Sequence, residues 1–350
     1  MSLSRNSLAS LIASSEPLII HHWDADGVAS AVTAASFAQG RADFVVPPLT
    51  YTPSVDFVRH VVTRSSDKDL ILVLDYNASS EFLAALASAS GKPVVVVDHH
   101  LASYPRIANL YYYNPAAEGD PEGLWPSAAH LLADAIGFYD PLLIAMSIYG
   151  DLQDSSQMNR VFRYYMEQIG LDPVADAGIP RGCAMQVWGA EAASDLELLA
   201  GLPVELTYGA VDPCQALLSD PRLSNHRMRA EEEVERAVKE ALATEARRGR
   251  AVVYTVSLRM RVTGMVTRRL LAASGLPVVI VLAREGQGKS KIYVRGEIGD
   301  PTKLVAILRG SGLRASGKRQ PYNDIVVVDV GHVRDESAVE RVVEAVNLIA

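Results

Sequence analysis

Four apolar runs in this chain stop at side chains that can bind metal ions. The clearest is Val94–Val97, which is followed directly by Asp98, His99 and His100. The other runs are 18–20 before His21, His22, Asp24 and Asp26, 70–74 before Asp75, and 144–149 before Gly150 and Asp151. A continuous apolar run is typical of a strand buried on both faces of a parallel sheet. The carboxyl ends of such strands share one sheet edge, where open α/β sheets bind ligands, so we expect these polar groups to meet there.

The first 150 residues alternate apolar strands with helical patterns. Predicted strands are 18–23, 43–47, 70–76, 94–99 and 108–113, and predicted helices are 27–38, 53–63, 79–89, 126–136 and 140–150. This alternation predicts an α/β fold with a parallel sheet covered by helices on both faces. Because 140–150 is predicted to be helical, we expect Asp151 to reach the site from a helix end rather than from a strand.

The second half of the chain predicts a smaller α/β domain. A charged helix at 228–248, acidic at its start and basic at its end as the helix dipole favours, is interpreted as a connector. After it we predict strands at 251–256, 278–284, 290–296 and 324–330 and helices at 264–274, 301–310 and 335–348.

The predicted organisation has three parts. These are a parallel-sheet domain at 1–185, a helical connector region at 186–250, and a smaller α/β domain with a mixed sheet at 251–350. The active site is expected in the cleft between the two domains. Residues 157–225 have a weaker pattern and fit either an insertion that shapes the cleft or simple packing.

Charge is distributed unevenly along the chain. The formal net charge is −8, yet residues 251–323 contain thirteen Lys or Arg and only three acidic residues. A basic segment within an acidic protein suggests a local anionic partner. A solvated basic surface without a partner is the alternative.

Several observations concern the cellular compartment. No run of 18 apolar residues occurs, so we expect neither a membrane span nor a membrane partner. Residues 1–5 lack the pattern of a signal peptide. The two cysteines, Cys183 and Cys214, have no CxxC spacing, which disfavours a cysteine-based zinc site and indicates a reducing cytoplasm.

The polar groups after the apolar runs suit divalent metal ions. Asp24 and Asp26 are two residues apart, so on an extended strand end both carboxylates point the same way, and Gly27 permits a sharp turn into the next helix. Oxygen and imidazole ligands without thiolates suit Mn²⁺, Mg²⁺ or Co²⁺. The set is larger than one ion needs. It suits two ions that share a carboxylate and activate water for phosphoester hydrolysis.

Each of these residues also has a structural explanation when taken alone. A single Asp at a strand end is usually a turn or cap residue, and Asp26 could cap the helix at 27–38. His21 is better explained as a packed or solvent-facing strand residue than as a ligand. Four such segments in one chain, each after an apolar run, are hard to explain as caps, so we favour the metal site.

The four segments together resemble the motifs of the DHH phosphoesterase family, which is named for the triplet found here at 98–100. Residues 22–27 match the first motif in the spacing of RecJ-like members, especially archaeal ones. Asp75 matches the second motif and residues 150–151 match the fourth, where Gly-Asp-Leu-Gln is again similar to archaeal RecJ. The resemblance covers residues 15–155.

The resemblance implies a set of metal ligands. Asp75 would bridge two divalent ions, with Mn²⁺ preferred and Mg²⁺ or Co²⁺ as alternatives. The remaining ligands would be His22 and Asp24 for one ion and Asp26, His99 and Asp151 for the other.

The resemblance also implies two catalytic residues beside the ions. Asp98 would orient a histidine and fix its tautomer. His100 would contact the scissile phosphate and stabilise charge on it. The attacking group would be water activated by the ions, with no covalent intermediate on the protein.

The basic C-terminal segment resembles, more loosely, the DHH-associated substrate domain of the same family. In relatives a glycine-rich GGGH motif binds the nucleotide or phosphate end, whereas the corresponding stretch here, 309–317, has Leu313 in place of the histidine. Arg295 is the predicted phosphate clamp. The other residues expected to bind substrate are Lys289, Gly310, Gly312 and Arg314. A plain surface loop is the alternative for the glycine-rich stretch.

Two aromatic features allow both packing and base stacking. Tyr111–Tyr113 end a predicted strand and are expected to pack rather than to stack a base. Trp125, beside the helix start at Pro126, fits equally a residue that stacks a base near the site and a core residue.

The resemblance implies a cytoplasmic metal-dependent phosphodiesterase that hydrolyses single-stranded DNA, RNA or short oligonucleotides from an end, as an exonuclease or nano-RNase-type enzyme. The altered position at Leu313 leaves a smaller substrate open: a cyclic dinucleotide, a nucleotide bisphosphate or polyphosphate. A non-catalytic component of a replication complex is the third alternative, which the intact ligand set disfavours. A homodimer and a replication or repair partner also belong to this expectation.

Overall fold

The computed structural model describes residues 1–38, 41–100, 102, 104–120, 124–209, 212–285, 289–318, 324–330 and 334–349, with the backbone alone at 285, 289 and 318. The chain divides into two compact units, Met1–Arg227 and Met228–Ala350, called unit 1 and unit 2 below. The predicted limits at residues 185 and 250 stay a prediction. Within the described residues, no helix is both long and apolar enough to cross a bilayer.

Unit 1 is built on a five-stranded, fully parallel sheet. Its strands are β1 (Pro17–His21), β2 (Asp43–Val45), β3 (Leu70–Leu74), β4 (Val94–Val97) and β5 (Leu110–Tyr113). Its helices are α1 (Arg5–Ala13), α2 (Ala25–Phe37), α3 (Val55–Arg64), α4 (Ser80–Ser90), α5 (Ala128–Ile136), α6 (Pro141–Leu152), α7 (Arg160–Gln168), α8 (Gly178–Ala193), α9 (Leu196–Tyr208) and α10 (Pro213–Ser219). The predicted α/β class with a parallel first sheet is confirmed.

The strand order β2-β1-β3-β4-β5 determines where the polar strand ends meet. The chain leaves β1 through α2 to reach β2 on one side, then returns through α3 to β3 on the other side. Open α/β sheets bind ligands at the carboxyl edge where the order reverses in this way. The ends of β1, β3 and β4 lie side by side there, so His22, Asp75 and residues 98–100 emerge from neighbouring strands.

The two faces of this sheet bury alternate residues of the same strands. In β3, Ile71 and Val73 pack into one core, while Leu70, Leu72 and Leu74 pack into the other. All five side chains are fully buried. A strand covered on both faces needs apolar residues at every position, which explains the continuous run in the sequence.

The segment 157–225, which had no assigned role, is mostly helical. Helices α7 and α8 pack against α6, and α9 packs against α2. Phe162 on α7 and Leu199 on α9 are buried in the larger core. Cys183 on α8 and Cys214 on α10 form a disulfide with their Cα atoms 5.6 Å apart, a pair that the sequence analysis did not predict and that does not agree with the reducing compartment inferred from these cysteines. These contacts fit the packing alternative, because they support the two helices that carry site residues.

Unit 2 contains a six-stranded mixed sheet in the order β10-β11-β9-β8-β7-β6. It begins within α11 (Pro221–Leu242). Its strands are β6 (Ala246–Arg248), β7 (Ala251–Leu258), β8 (Val278–Glu285), β9 (Lys289–Gly296), β10 (Arg314–Lys318) and β11 (Asp324–Asp329), and its helices are α12 (Thr263–Ser274), α13 (Pro301–Gly310) and α14 (Asp335–Leu348). Only β7 and β8 pair in parallel among these strands, so the predicted mixed sheet is confirmed.

Two parts of unit 2 differ from the sequence prediction. The helix predicted at 228–248 ends at Leu242, and residues 246–248 form the edge strand β6 instead. Residues 314–318, interpreted as part of a glycine-rich loop, form β10 in antiparallel pairing with β11. Leu313, which stands where the family motif has histidine, is buried in the core of unit 2. Pairing with β11, the next strand in the sequence, outweighed the local glycine content, which alone predicts a loop.

Candidate metal centre

The first two carboxylates of the site belong to the start of α2. Asp24 is the N-cap of this helix, and its Oδ1 accepts a hydrogen bond of 3.0 Å from Gly27 N. Asp26 lies in the first helical turn. The sequence argument placed both on an extended strand end, but β1 stops at His21, so a helix start and not a strand positions them.

Gly27 is required by close packing rather than by a turn. A Cβ atom at this position would lie 2.3 Å from the carbonyl oxygen of His22, which is backbone and cannot swing away. The missing side chain therefore lets the first turn of α2 approach the residue after β1. This approach brings Asp26 and His22 to the same sheet edge.

Asp75 directly follows β3 in a left-handed backbone conformation, with φ of 56°. Such a conformation is uncommon for a residue other than glycine and persists only where the surroundings impose it. Its N–H still donates to Val97 O at 3.0 Å, so the residue stays anchored to β4 while its side chain turns into the site. The carboxylate is buried, and its Oδ1 has no hydrogen-bond partner among the described residues.

His99 points one ring nitrogen at three carboxylates. Its Nε2 lies 3.1 Å from Asp151 Oδ2, 3.6 Å from Asp75 Oδ1 and 3.8 Å from Asp26 Oδ2. Its Nδ1 lies 3.0 Å from Trp125 O. Since a carbonyl can only accept, Nδ1 carries a proton and donates it, which leaves Nε2 as the atom that can ligate a metal.

Asp26 is held by the start of another helix. Its Oδ2 accepts from Ala128 N at 2.7 Å, and its Oδ1 accepts from Ala129 N at 2.9 Å. These two N–H groups belong to the first turn of α5, where the helix dipole also favours a negative charge. Asp26 is therefore not a cap of its own helix, as the structural alternative supposed, but an acceptor for α5.

Asp151 enters the site from the last turn of α6, as the sequence predicted from the helical pattern before it. The preceding Gly150 faces α2, and a Cβ there would lie 2.9 Å from Ala25 Cβ. The absence of a side chain thus lets α6 approach the start of α2. This contact places Asp151 beside Asp26 and His99.

His22 completes the opposite side of the site. Its Nδ1 lies 2.7 Å from Asp24 Oδ2 and 3.6 Å from Asp75 Oδ2. Its Nε2 lies 3.3 Å from the hydroxyl of Tyr51.

The structure brings all six predicted metal ligands together. Three groups have potential ligand atoms within 4.8 Å of one another among the described residues. They are His22–Asp24–Asp75, Asp26–His99–Asp151 and Asp75–His99–His100. Buried carboxylate and imidazole donors without thiolates fit divalent cations, so the donor set agrees with a divalent metal cofactor.

The pKa shifts of the site reflect crowded negative charge. Burial, followed by repulsion from Asp26, raises the pKa of Asp75 well above its usual value. Burial and the charge of Asp151 raise the pKa of Asp26 to about 7. Burial opposes the charged form of His99, but the hydrogen bond and charge of Asp151 outweigh it and raise its pKa to about 9. These side chains thus retain protons, which offset the negative charge that bound cations would otherwise balance.

Asp98 and His100 form a pair next to these ligands. Asp98 Oδ1 accepts from His100 Nδ1 at 2.7 Å and from His100 N at 3.0 Å. Burial would raise the pKa of Asp98, but the charge and hydrogen bonds of His100 lower it instead. Asp98 is fully buried and orients the His100 ring through Nδ1.

Sequence reasoning missed some groups that complete the site. Tyr51 lies in the loop between β2 and α3, where no periodic pattern exists to single it out. Burial opposes the charged form of His22, but the charge and hydrogen bond of Asp24 raise its pKa, and the charge of Glu191, from α8 in the unassigned helical segment, adds to this rise. The ring of Trp125 was left open between base stacking and core packing, but the atom that reaches the site is its backbone carbonyl, while its Nε1 donates to Asp120 Oδ2 at 3.1 Å.

The predicted substrate-binding residues lie in unit 2. Arg295 on β9 is buried, and its Nε donates to Thr267 Oγ1 at 3.1 Å. Its Nη1 has no hydrogen-bond partner in the described part of the chain. Burial and the nearby charge of Arg268 lower the pKa of Arg295 to about 9. This is a buried cation with no described carboxylate to neutralise it.

The other predicted substrate residues do not converge on Arg295. Arg314 is level with Lys291 across the sheet, four residues from Arg295 along β9. Two strand spacings and this offset separate the two arginine backbones by about 10 Å across and about 14 Å along the sheet. Gly310 ends α13 and Gly312 has φ of 85° in the following turn. Lys289 begins β9, and its side chain lies outside the described residues.

Comparisons with known proteins agree with this architecture. The family model for the DHH family, N-terminal domain, matches residues 17–149. Among solved structures, RecJ from Thermus thermophilus in complex with Mn²⁺ has a TM-score of 0.69 at 19% identity, over 99% of this chain and 55% of that one. An exonuclease RecJ bound to manganese has a TM-score of 0.66 at 19% identity, over 99% of this chain and 94% of that one.

A third similar structure is PggH from Vibrio cholerae, described as a pGpG-specific phosphodiesterase. Its TM-score is 0.53 at 12% identity, over 96% of this chain and 100% of that one. No curated protein sequence matches the chain. At these identities the solved structures establish the fold, and the chain spans about half the length of the Thermus RecJ. Residues 17–149 therefore match the model of the DHH family, N-terminal domain, and the chain has the fold of the RecJ structures.

Proposed function

We propose that unit 1 is the catalytic unit of a two-metal phosphodiesterase. One observation carries the proposal: the two oxygens of the Asp75 carboxylate face different ligand groups. Oδ2 lies 3.6 Å from His22 Nδ1, and Oδ1 lies 3.6 Å from His99 Nε2. A carboxylate with one oxygen toward each of two ligand groups is suited to bridge two ions.

The proposed ligand sets are divided by this carboxylate. One ion would be held by Asp75 with His22 and Asp24, and the other by Asp75 with Asp26, His99 and Asp151. Mn²⁺ is the proposed ion, with Mg²⁺ or Co²⁺ as substitutes. Support comes from RecJ structures of similar fold, which are described as complexes with Mn²⁺ or with Mg²⁺.

The protein's own groups would orient the substrate phosphate. When bound, the ions would supply an activated water and draw charge from the phosphate oxygens. His100, fixed through Nδ1 by Asp98, is proposed to donate to a phosphate oxygen and stabilise the charge that develops there. Asp98, whose pKa is lowered by the charge and hydrogen bonds of His100, keeps its negative charge in this pair.

The proposed substrate is single-stranded DNA or RNA, or a short oligonucleotide, cut from an end. The basic character of residues 251–323 supports an anionic polymer. Arg295 is proposed to clamp a phosphate, because its buried guanidinium has a donor without a described partner. Weaker contacts with the backbone of the nucleic acid are proposed for Lys289, Gly310, Gly312 and Arg314. We also propose a cytoplasmic location, a homodimer, and a replication or repair partner.

The proposal is tested by hydrolysis of end-labelled single-stranded oligonucleotides with Mn²⁺. We expect Asp75→Asn to lower the rate by more than about 100-fold, beyond the roughly 10–100-fold typical of groups that only support a ligand. The matched control is Asp67→Asn, an exposed carboxylate of the same unit, which should leave the rate unchanged. Equal rates for Asp75→Asn and the wild type would refute the two-metal mechanism.

A substrate panel tests the second part of the proposal. Oligonucleotides of a few nucleotides, a cyclic dinucleotide, a nucleotide bisphosphate and polyphosphate are compared under the same conditions. Turnover of oligonucleotides with release of mononucleotides supports the proposal. Turnover of only a small phosphate ester would replace the substrate but keep the metal mechanism. No turnover of any of them, together with no Mn²⁺ binding, would favour a non-catalytic protein.

A further inference from the structure

The two histidines that face the carboxylates are oriented by different kinds of partner. The ring of His99 is fixed by a backbone carbonyl, that of Trp125, on Nδ1. In His22 the other ring nitrogen faces the carboxylates. Its Nδ1 lies toward Asp24 and Asp75, and its Nε2 lies 3.3 Å from the hydroxyl of Tyr51. To ligate a cation through Nδ1, His22 must carry its proton on Nε2, and that proton needs an acceptor.

Tyr51 is fixed well enough to serve as this acceptor. Its backbone carbonyl accepts from Ser79 N at 2.8 Å. The preceding residue, Thr50, accepts through its carbonyl from the Tyr76 hydroxyl. The ring of Tyr51 lies 5.9 Å from the ring of Tyr76 and 5.7 Å from that of Trp23. The loop and its aromatic neighbours thus hold the hydroxyl in place before any ligand arrives.

The exposure of Tyr51 indicates that its role is not simply to pack against the core. The residue is 49% exposed, so its ring contributes much less to the core than the fully buried Tyr76. Yet its hydroxyl end lies at His22, which is itself buried. Removal of the hydroxyl alone should therefore cost little folding stability, while it removes the one described side-chain acceptor on His22 Nε2.

We propose that Tyr51 is a positioning residue for the metal centre: its hydroxyl accepts the Nε2 proton of His22, fixes the tautomer that turns Nδ1 to the ion, and so sets the affinity of the His22–Asp24–Asp75 group. This inference rests on the proposed two-metal function. Groups that orient a ligating histidine typically change metal affinity by about 10–100-fold. Tyr51 belongs to this class although no pattern in the sequence points to it.

The test is titration of the metal-free full chain with Mn²⁺ alone in a calorimeter. We expect two equivalents in the wild type, and in Tyr51→Phe one equivalent weakened by about 10-fold or more with the other unchanged. Tyr164→Phe is the matched control, because Tyr164 is 51% exposed on α7 and its hydroxyl accepts from Gln168 Nε2 rather than from a proposed metal ligand. Thermal unfolding without metal should show Tyr51→Phe and the wild type to be equally stable.

A double mutant separates the positioning role from a general disturbance of the loop. In a His22→Ala background, Tyr51→Phe should weaken Mn²⁺ binding no further, because its effect passes through the imidazole. Additive losses, or two unweakened equivalents in Tyr51→Phe, would overturn the inference and leave the proposed function intact. A wild type that binds no Mn²⁺ would overturn the proposed function itself.

Discussion

The two units bury opposite charges. In unit 1, Asp26 and Asp75 lie in a buried cluster of carboxylates, and burial raises the pKa of both. In unit 2, burial lowers the pKa of Arg295. The cause is the same, since an apolar environment disfavours whichever form is charged. The difference in sign agrees with the proposed roles of the two units: cations bound in unit 1, and an anionic group such as a phosphate bound in unit 2.

The two regions also differ in how many groups converge. Six predicted ligands of unit 1 come from strand ends and helix ends that the parallel topology brings to one edge. The predicted substrate residues of unit 2 lie on antiparallel strands and a turn, and Arg295 stands apart from Arg314. Convergence of the predicted site residues is therefore a property of unit 1, whereas Arg295 in unit 2 is a buried group that stands apart from Arg314.

The largest expected effect that tests the contrast between the two units is the pH dependence of the stability of the metal-free protein. The folded-state pKa of Asp26, about 7, is above the ordinary 3.8, so its stabilising contribution is full below 3.8 and lost as pH rises through 7. The folded-state pKa of His99, about 9, is above 6.5, so its contribution is full below 6.5 and lost as pH rises through 9. A pKa difference of one between the folded and unfolded chain corresponds to about 1.4 kcal/mol of unfolding free energy.

Burial lowers the folded-state pKa values of two other histidines, His21 and His130, to about 4, so they oppose this trend below about pH 6.5. Above that pH, the melting temperature in EDTA should fall steadily up to about pH 9, as the remaining contribution of Asp26 and that of His99 are lost. Mn²⁺ should restore it, most strongly at the alkaline end, because bound cations replace the retained protons. Thermal unfolding by circular dichroism in EDTA and in excess Mn²⁺ measures both curves. A flat profile in EDTA would show that the carboxylates of unit 1 are not crowded in solution.

The next effect sharpens the role of unit 2. Arg295→Gln should raise the KM for a single-stranded oligonucleotide by about 10-fold or more and leave kcat nearly unchanged, because a charge-assisted hydrogen bond contributes roughly 1.5–3 kcal/mol. Arg314→Gln, at an exposed position on the opposite end of the sheet, should change the KM much less. Steady-state kinetics decide it. Equal changes in both variants would mean that unit 2 binds through diffuse charge rather than through one buried arginine.

The smallest effect tests how close packing builds the cluster of unit 1. A Cβ added in Gly150→Ala would meet Ala25 Cβ and push α6 away from α2. The strain of about 1–3 kcal/mol is partly offset by the roughly 1 kcal/mol helix preference of Ala over Gly. We therefore expect a small change in melting temperature but weaker Mn²⁺ binding, since Asp151 moves.

Gly201→Ala provides the control for this last prediction. It lies inside α9, and a Cβ there meets no atom within 4 Å. It should gain helix stability without any change in Mn²⁺ affinity. If both glycine variants bind Mn²⁺ like the wild type, the approach of α6 to α2 is not what positions Asp151.

Most of the framework of both units is predictable from the sequence. The five strands of unit 1 follow from apolar runs such as Val94–Val97, because a strand covered on both faces must be apolar throughout. Two strands, β6 and β10, were not predicted. β6 consists of three charged or small residues and β10 lies in a glycine-rich stretch, so each becomes a strand only through pairing with its neighbour in the sheet. The disulfide between Cys183 and Cys214 depends on the packing of α8 and α10, which no spacing reveals.

The site divides in the same way. The candidate ligands were visible in the sequence because each stands next to a recognisable strand or helix end. Their supports were not, because Tyr51, the Trp125 carbonyl and the α5 amides of Ala128 and Ala129 come from distant parts of the chain.

Hydrophobic periodicity predicts from the sequence which chemical groups stand at the carboxyl edge of the sheet, since it indicates where each strand stops and therefore which residues lie just beyond it. Packing between separate elements was needed to show that Asp24 and Asp26 start a helix, that Asp75 divides its oxygens between two ligand groups, and that Arg295 is buried in unit 2. Local patterns report on burial along a single element. Distances between side chains depend on how separate elements pack, and no single segment of the sequence encodes that packing.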